Sequence, residues 1–250
     1  MRAAMLVIIG LGFSSFAFAH PTGESRVVIE AESNLPAKST DNIYSFQLVD
    51  TANNKVITDS NLQVSNQMKL HLFAYDPALK EFQHAHPVFD GKVWNVALHF
   101  AASGNYWLWV QGQLNDGTDF TSSVRLDVQV ANAAWPVTPL SDLRSGSADI
   151  SVASLDGQKL KANQMAMLTL TFSRNDGTTA VITPYLGAFA HVVIVTDDAD
   201  SLIHVHPMNT SNPNEGMLHA TFPNAGLYRL WVQFMDGGIL KVVPLAVEVF

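Results

Sequence analysis

Histidine is the residue type whose spacing in this chain most clearly suggests chemistry. Four histidines of the first half recur 120 residues later in the second half. The pairs are His71 and His191, His84 and His204, His86 and His206, and His99 and His219. The two middle pairs form a His-x-His-Pro string, at 84–87 and again at 204–207. This repeat predicts that a site has been duplicated together with its scaffold.

A second shared string shows that, of the four histidine pairs, His99 and His219 are the least firmly aligned by the repeat. GNYWLWVQ at 104–111 reappears as GLYRLWVQ at 226–233, but at an offset of 122 residues. At that offset His219 aligns with Ala97 and not with His99. A shift of two residues keeps a strand residue on the same face. We therefore predict a set of three histidines in each half, with His99 and His219 as additional candidates.

The three histidines of each half are predicted to share one face of a β-hairpin. With strands at 70–75 and 82–86, His71 opposes His86 and Phe73 opposes His84. Opposed strand residues lie ~5 Å apart and i, i+2 neighbours ~7 Å apart, so three imidazoles can converge on one ion with bonds of ~2 Å. The strings at 190–195 and 202–206 repeat this arrangement. A one-residue slip of the register would destroy it.

The ligand type favours copper, with zinc as the alternative. Three neutral imidazoles without thiolate or carboxylate suit Cu(II) or Zn(II), and copper binds such sites more strongly. Thioethers suit Cu(I), although core packing is the ordinary role of methionine. Four methionines of the second half are relevant here: Met165, Met167, Met208 and Met217.

Two other classes of function stay open. Histidine on a half-buried strand is often a packing residue. If the histidines only pack, the protein is a structural or adhesion module. If the metal at a three-histidine site keeps one coordination position open, the protein is a metal-dependent enzyme. The sequence has none of the common hydrolase, metalloprotease or nucleotide-binding motifs, so we expect no enzyme. It also contains no cysteine, which excludes thiolate sites, iron–sulfur clusters and blue-copper centres.

The N-terminus predicts export to the periplasm or secretion. Residues 1–19 combine Arg2, a short apolar stretch and an A-x-A cleavage site at 17–19. Cleavage there makes His20 the first residue, whose α-amine and imidazole form a metal chelate, and Pro21 offers no amide proton to compete. No second stretch of ~20 apolar residues follows, so we expect no membrane span after cleavage.

The net charge of the chain limits the classes of partner that we expect. The net charge is −8, with 14 basic residues against 22 acidic ones. This balance argues against nucleic acid as a partner. The partners that we expect are a metal ion and a membrane transporter or metallochaperone.

Strand signals predict an all-β fold of two tandem immunoglobulin-like antiparallel β-sandwiches. Alternating apolar segments are separated by Asp-Gly turns roughly every 10 residues, a pattern typical of such sandwiches. The predicted units are 20–132 and 147–250, joined by a linker at 133–146. Tyr106 and Tyr228 are candidates for the corner tyrosines of this fold.

The second half also carries a family resemblance. The strings at 184–191, 202–207 and 222–234 read PYLGAFAH, LIHVHP and FPNAGLYRLWVQF. They resemble a group of secreted bacterial H-x-H-P proteins, similar in kind to YtkA-like and CopC-like periplasmic sandwiches. Ala190 stands where that pattern usually has glycine. The resemblance implies an immunoglobulin-like fold, an exported location and an association with copper.

Overall fold

The computed structural model describes residues 25–31, 37–38, 40–65, 67–198 and 201–250. The predicted signal peptide and His20 lie outside these described residues. Within them the regular structure consists of β-strands, with one 3-10 turn at Asp59–Asn61 and no α-helix. No helix of this part of the chain is long and apolar enough to cross a membrane.

The first half of the chain forms one β-sandwich of two sheets. One sheet has the order β1-β2-β7-β6, with β3 also paired to β2, and the other has the order β5-β4-β8-β9. Its strands are β1 Val27–Ala31, β2 Asp41–Asp50, β3 Lys55–Ile57, β4 Leu70–Tyr75, β5 Phe82–Ala85, β6 Val88–Phe89, β7 Trp94–His99, β8 Gly104–Gln113 and β9 Asp119–Val128.

The second half forms another sandwich. One sheet has the order β10-β11-β12-β17-β16, and in the other β18 pairs with β13, β14 and β19, while β15 pairs with β14. Its strands are β10 Ser145–Ala148, β11 Ser151–Leu155, β12 Met165–Arg174, β13 Ile182–Thr183, β14 His191–Thr196, β15 Leu202–Val205, β16 Met208–Asn209, β17 Glu215–Thr221, β18 Gly226–Asp236 and β19 Ile239–Val249.

Each sandwich has its own apolar core, and this confirms the predicted fold class. Phe46, Trp94 and Phe100 are buried between the sheets of the first half, and Phe172 and Phe234 between those of the second. Inward residues alternate with outward ones along most strands, as expected when only one face of a sheet is buried.

The tyrosine corner is present in both halves. The Tyr106 hydroxyl donates to the carbonyl oxygen of Ala102 at 3.1 Å, and the Tyr228 hydroxyl donates to that of Asn224 at 2.9 Å. Both side chains are fully buried. The hydrogen bond compensates for removing a phenol hydroxyl from water. The prediction for these two residues is therefore confirmed.

Strands β4 and β14 are buried on both faces, because the two sandwiches pack against each other there. Leu72 points into the core of the first half, whereas Phe73 and Tyr75 belong to a different cluster that includes residues of the second half. We call this group the shared apolar cluster; its buried members are Phe73, Tyr75, Leu79, Trp109, Val193, Val195, Leu202 and Trp231. One stacked contact within the interface joins Phe82 and Trp231, with ring centroids 4.6 Å apart.

Candidate metal centre

Two hairpins position the candidate ligands in the predicted register. Phe73 opposes His84 in the β4–β5 pair, and Val193 opposes His204 in the β14–β15 pair. A strand alternates its side chains between faces, so His71 lies on the face that Phe73 and Tyr75 present to the other sandwich. His191 occupies the same position on β14. The register prediction is confirmed in both halves.

At the proline of each His-x-His-Pro string, the chain passes from one sheet of the sandwich to the other. Strand β5 ends at Ala85, and β6, which begins after Pro87, belongs to the other sheet of the sandwich. Strands β15 and β16 flank Pro207 in the same way. Proline cannot donate to a strand ladder, so pairing stops there and the preceding histidine sits at the sheet edge.

The loop between β4 and β5 is fixed by Asp76. Its buried carboxylate accepts hydrogen bonds from the backbone amides of Ala78, Lys80 and Glu81 at 2.7–2.9 Å. Such bonds satisfy backbone donors that no strand partner reaches. The hairpin that carries the histidines is thereby held at its closed end.

The structure brings the predicted histidines together as two triads. The first triad is His71, His84 and His86; the second triad is His191, His204 and His206. In each triad one ring nitrogen per residue lies within 4.8 Å of the others, close enough to hold a metal ion. The nearest nitrogens of the first triad, His71 Nδ1 and His84 Nε2, are 3.0 Å apart.

Hydrogen bonds on the outer side of the first triad fix which nitrogens face inward. His84 Nδ1 lies 2.7 Å from Gln233 Oε1, and His71 Nε2 lies 3.4 Å from the Ser65 carbonyl oxygen. The Gln233 oxygen only accepts, so a neutral His84 donates through Nδ1 and its inward Nε2 carries a lone pair. This Nε2 lies 3.0 Å from His71 Nδ1, and the tautomer of His71 decides which of its nitrogens donates. A metal ion between the two inward nitrogens would replace this contact.

The second triad has the same arrangement. His191 Nε2 donates to the Tyr185 carbonyl oxygen at 2.9 Å, and His204 Nδ1 lies 3.2 Å from Gln111 Oε1. The inward nitrogens of His191 and His204 are 3.2 Å apart, and His206 Nε2 is 2.9 Å from His191 Nδ1. Two unrelated hairpins would not share these outer contacts, so the duplication extends beyond the ligands themselves.

Burial keeps the imidazoles uncharged. It lowers the pKa of His84 to about 2, of His206 to about 3, and of His86 and His191 to about 4. The pKa values of His71 and His204 are lowered by burial too. Repulsion from neighbouring imidazoles adds to the effect for His84 and His204. Neutral imidazole is the form that binds metal, so the ligands are in the binding form at neutral pH.

His86 provides an unsatisfied buried atom. Its Nε2 is shielded from solvent and has no hydrogen-bond partner. A buried polar atom without a partner costs about 1–3 kcal/mol, and such atoms call for an explanation. Metal coordination would supply the missing interaction.

The two triads adjoin each other at the interface between the sandwiches. Ring centroids of His71 and His204 are 5.5 Å apart, and those of His84 and His191 are 5.4 Å apart. Centroid distances within the triads are similar, from 4.5 to 5.5 Å. We call the six residues the histidine cluster. The sequence repeat indicated two sites but not their contact.

Gln111 and Gln233 are the functional candidates that sequence reasoning missed. Gln111 opposes His71 across β4 and β8, yet its side chain reaches His204 of the other half; Gln233 opposes His191 and reaches His84. The Gln111 amide nitrogen donates to the Thr121 hydroxyl at 3.2 Å, which leaves its oxygen to accept from His204. The repeated Trp-Val-Gln string was the available signal.

The remaining predicted histidines lie elsewhere. His99 ends β7, in the sheet opposite the hairpin, and its Nδ1 is 2.8 Å from Asp41 Oδ1 at the surface. His219 lies on β17, opposite Met167. Neither belongs to a triad of the described residues, and His20 is outside that part of the chain.

The structure also explains why the fourth pair differs. Edge-to-face contacts join Phe100 to Tyr106 and Phe222 to Tyr228, with centroids 4.9 and 5.0 Å apart. The second aromatic pair lies 122 residues after the first in the sequence. At that offset His99 corresponds to Thr221, so the recurrence of a fourth histidine does not reflect equivalent positions.

Three of the four candidate methionines do not pack in the core. Met165, Met167 and Met208 are 60%, 57% and 46% exposed. They lie in the sheet formed by β12, β16 and β17, which does not carry the histidine cluster. The core-packing interpretation is wrong for these three residues.

A comparison with protein-family models matches the second half of the chain. Residues 147–250 match the model of a domain of unknown function, DUF8832. No curated protein matches the chain.

Solved structures with detectable similarity share little sequence identity with this chain. They include a titin A168169 structure (11% identity, 94% of this chain and 100% of that chain, TM-score 0.24) and chicken CNTN1 FN1-FN3 domains (10%, 89% and 65%, 0.24). A third is the Escherichia coli adhesin FdeC (15%, 92% and 65%, 0.22). This chain thus spans 65% of the CNTN1 and FdeC structures. The fold assignment rests on the sheets described above and not on these alignments.

Proposed function

We propose that this protein binds transition-metal ions, most favourably copper, through the histidine cluster. The observation that carries the proposal is the convergence of three imidazoles in each of two triads, with one ring nitrogen per residue within 4.8 Å of the others. In both triads the opposite nitrogens of two histidines contact an oxygen atom on the outer side of the triad.

The donor set supports copper over other metals. Neutral imidazole nitrogens suit Cu(II), Zn(II) and Cu(I), and within one such site copper is bound more tightly than zinc. Harder cations such as Mg²⁺ and Ca²⁺ prefer oxygen ligands. No carboxylate joins either triad among the described residues. Zinc remains the alternative metal.

The role that we propose is buffering, delivery or resistance outside the cytoplasm. The predicted signal peptide gives the location, and a membrane transporter or metallochaperone would be the exchange partner. We expect no turnover, since the two metal-ligand groups consist of histidines alone, without a carboxylate to act as general base. An enzyme with an open metal position would instead show hydrolytic or oxidative activity when loaded.

Competition titration tests this function. Protein freed of metal with a chelator is titrated with Cu(II) against a chromophoric chelator, and we expect tight binding at the cluster. The double variant His204→Ala/His206→Ala should lose part of the tight capacity. The matched control, His99→Ala/His219→Ala, removes two histidines outside the triads and should bind as the wild type does.

Two results would refute the function. One is an unchanged number of tightly bound copper ions in the His204→Ala/His206→Ala variant, with circular dichroism showing an intact β fold. The other is an equal loss in the control variant, because copper would then be bound by surface histidines. A structural module with packing histidines would give no tight binding in any variant.

A further inference from the structure

We propose that the two triads form one dinuclear centre, in which two copper ions share a single small bridging anion. This inference rests on the proposed function and adds to it: the cluster would bind a pair of ions as a unit, together with a ligand of the size of hydroxide or azide.

The first support is the proximity of the two triads. Four rings, two from each triad, lie mutually close: all six centroid distances among His71, His84, His191 and His204 are between 5.2 and 6.4 Å. Distances across the interface are therefore close to those within a triad. The Phe73 ring packs against both triads, with its centroid 4.6 Å from that of His84 and 4.8 Å from that of His204. Ions held by the two triads would be neighbours.

The second support is the direction in which an open position would face. Three imidazoles leave a fourth position on a tetrahedral ion. The outer nitrogens of His71 and His84 are engaged with Ser65 and Gln233, and those of His191 and His204 with Tyr185 and Gln111. The outer nitrogens of two histidines in each triad are thus occupied by protein contacts. In the proposed centre the fourth position of each ion faces the other triad, where one ligand can contact both ions.

The third support is the net charge of the histidine cluster with two metal ions bound. The histidine cluster is neutral, and no carboxylate belongs to it among the described residues. Two divalent ions would bring four positive charges into a largely buried site, which is unfavourable without an anion. A water molecule that binds both ions and releases one proton to solvent becomes a bridging hydroxide. That hydroxide lowers the net charge and screens the repulsion between the two ions.

The cross-domain hydrogen bonds make the two triads dependent on each other. Gln233 of the second half orients His84, and Gln111 of the first half orients His204. Outer hydrogen bonds of this kind fix the orientation and tautomer of a metal-binding histidine. Each triad is therefore complete only when the two sandwiches are docked, which is the arrangement that a shared centre requires.

Electron paramagnetic resonance of the copper-loaded full-length protein tests the proposal. With two Cu(II) per chain, a bridging hydroxide should couple the two spins, and the signal should be largely lost although metal analysis finds both ions. The variant His204→Ala/His206→Ala should bind one ion and show full signal intensity per copper. The variant His84→Ala/His86→Ala should behave in the same way, so the test survives if one of the two fails to fold.

The outcomes separate the two proposals. Two ions per chain with full, uncoupled signals would overturn the dinuclear centre and leave copper binding intact. One ion per chain, held by histidines of both halves, would overturn it as well, in favour of a mononuclear site. The absence of tight copper binding would overturn both proposals.

Discussion

Gln233 Oε1 accepts a hydrogen bond from His84 Nδ1 at 2.7 Å, although the two residues are 149 positions apart in the chain. The glutamine belongs to β18 of the second sandwich and the histidine to β5 of the first. The reciprocal contact joins Gln111 of the first sandwich to His204 of the second. Each half of the protein therefore orients a metal-ligand candidate of the other half.

These contacts predict that a substitution in the second sandwich weakens metal binding in the first. Gln233→Leu should weaken metal binding at the first triad, since His84 loses the contact that fixes its tautomer. Loss of such an outer partner typically costs about 10–100-fold in affinity. The measurement is copper titration in a His204→Ala/His206→Ala background, where only the first triad is intact. Gln113→Leu, which removes an exposed glutamine of β8, is the control. Unchanged affinity in Gln233→Leu would contradict the assigned role.

The metal-free protein should lose stability as the pH falls from about 6.5 to about 4. Burial holds the pKa of His86 and His191 at about 4 in the folded state, whereas an unfolded histidine titrates near 6.5. Between these values the unfolded chain binds protons that the folded chain does not. Each such histidine then lowers the unfolding free energy by up to about 1.4 kcal/mol per pH unit. Above pH 6.5 both states are neutral, and the contribution vanishes.

Denaturant unfolding in the presence of a chelator, at a series of pH values, measures this dependence. Replacing His84 and His204 by leucine should flatten the slope, because those positions no longer take up protons on unfolding. A stability that is level between pH 6.5 and pH 5 would argue against buried, neutral imidazoles.

A buried ion pair should support the second sandwich without affecting the metal site. Arg174 donates to both carboxylate oxygens of Asp236, at 2.6 and 2.9 Å, and this pairing holds the Asp236 pKa well below its usual range. Asp236→Ala would leave Arg174 without its partner and should lower the unfolding free energy. Urea denaturation gives the value. Asp149→Ala breaks an exposed pair with Lys241 and should lower the unfolding free energy less. Equal losses in the two variants would contradict this account.

Copper should stabilise the folded protein by mass action. A ligand that binds only the folded state at 100 times its dissociation constant adds about 2.7 kcal/mol per site. Thermal unfolding with buffered free copper, compared with unfolding in chelator, should therefore show a higher midpoint. The gain should shrink in His204→Ala/His206→Ala and persist in His99→Ala/His219→Ala. A midpoint that copper leaves unchanged in the wild type would weigh against specific binding.

The sequence predicted the hairpins and their ligands because both depend on local patterns. Alternation and the symmetric loop fixed Phe73 opposite His84, which places His71 on the same face. The contact between the triads could not be predicted in this way, because docking of two domains leaves no periodic pattern. A weaker signal was present: the apolar strings at 72–75 and 192–195 interrupt the alternation expected when one face meets solvent.

The roles of other residues were missed for related reasons. Gln111 and Gln233 stand in a repeated string, but only the three-dimensional arrangement shows that each reaches across to the other half. His99 and His219 recur at the spacing of the other histidines, yet the two-residue insertion places them at positions that are not equivalent. Spacing alone cannot distinguish such a coincidence from a duplicated ligand.

Anomalous diffraction at the copper absorption edge, from crystals of the copper-loaded protein, tests the central claim most directly. We expect two peaks, each at about 2 Å from inward nitrogens of one triad: one peak beside His71, His84 and His86, and the other beside His191, His204 and His206. Peaks confined to His99, His219 or the exposed methionines, with none in the histidine cluster, would contradict it.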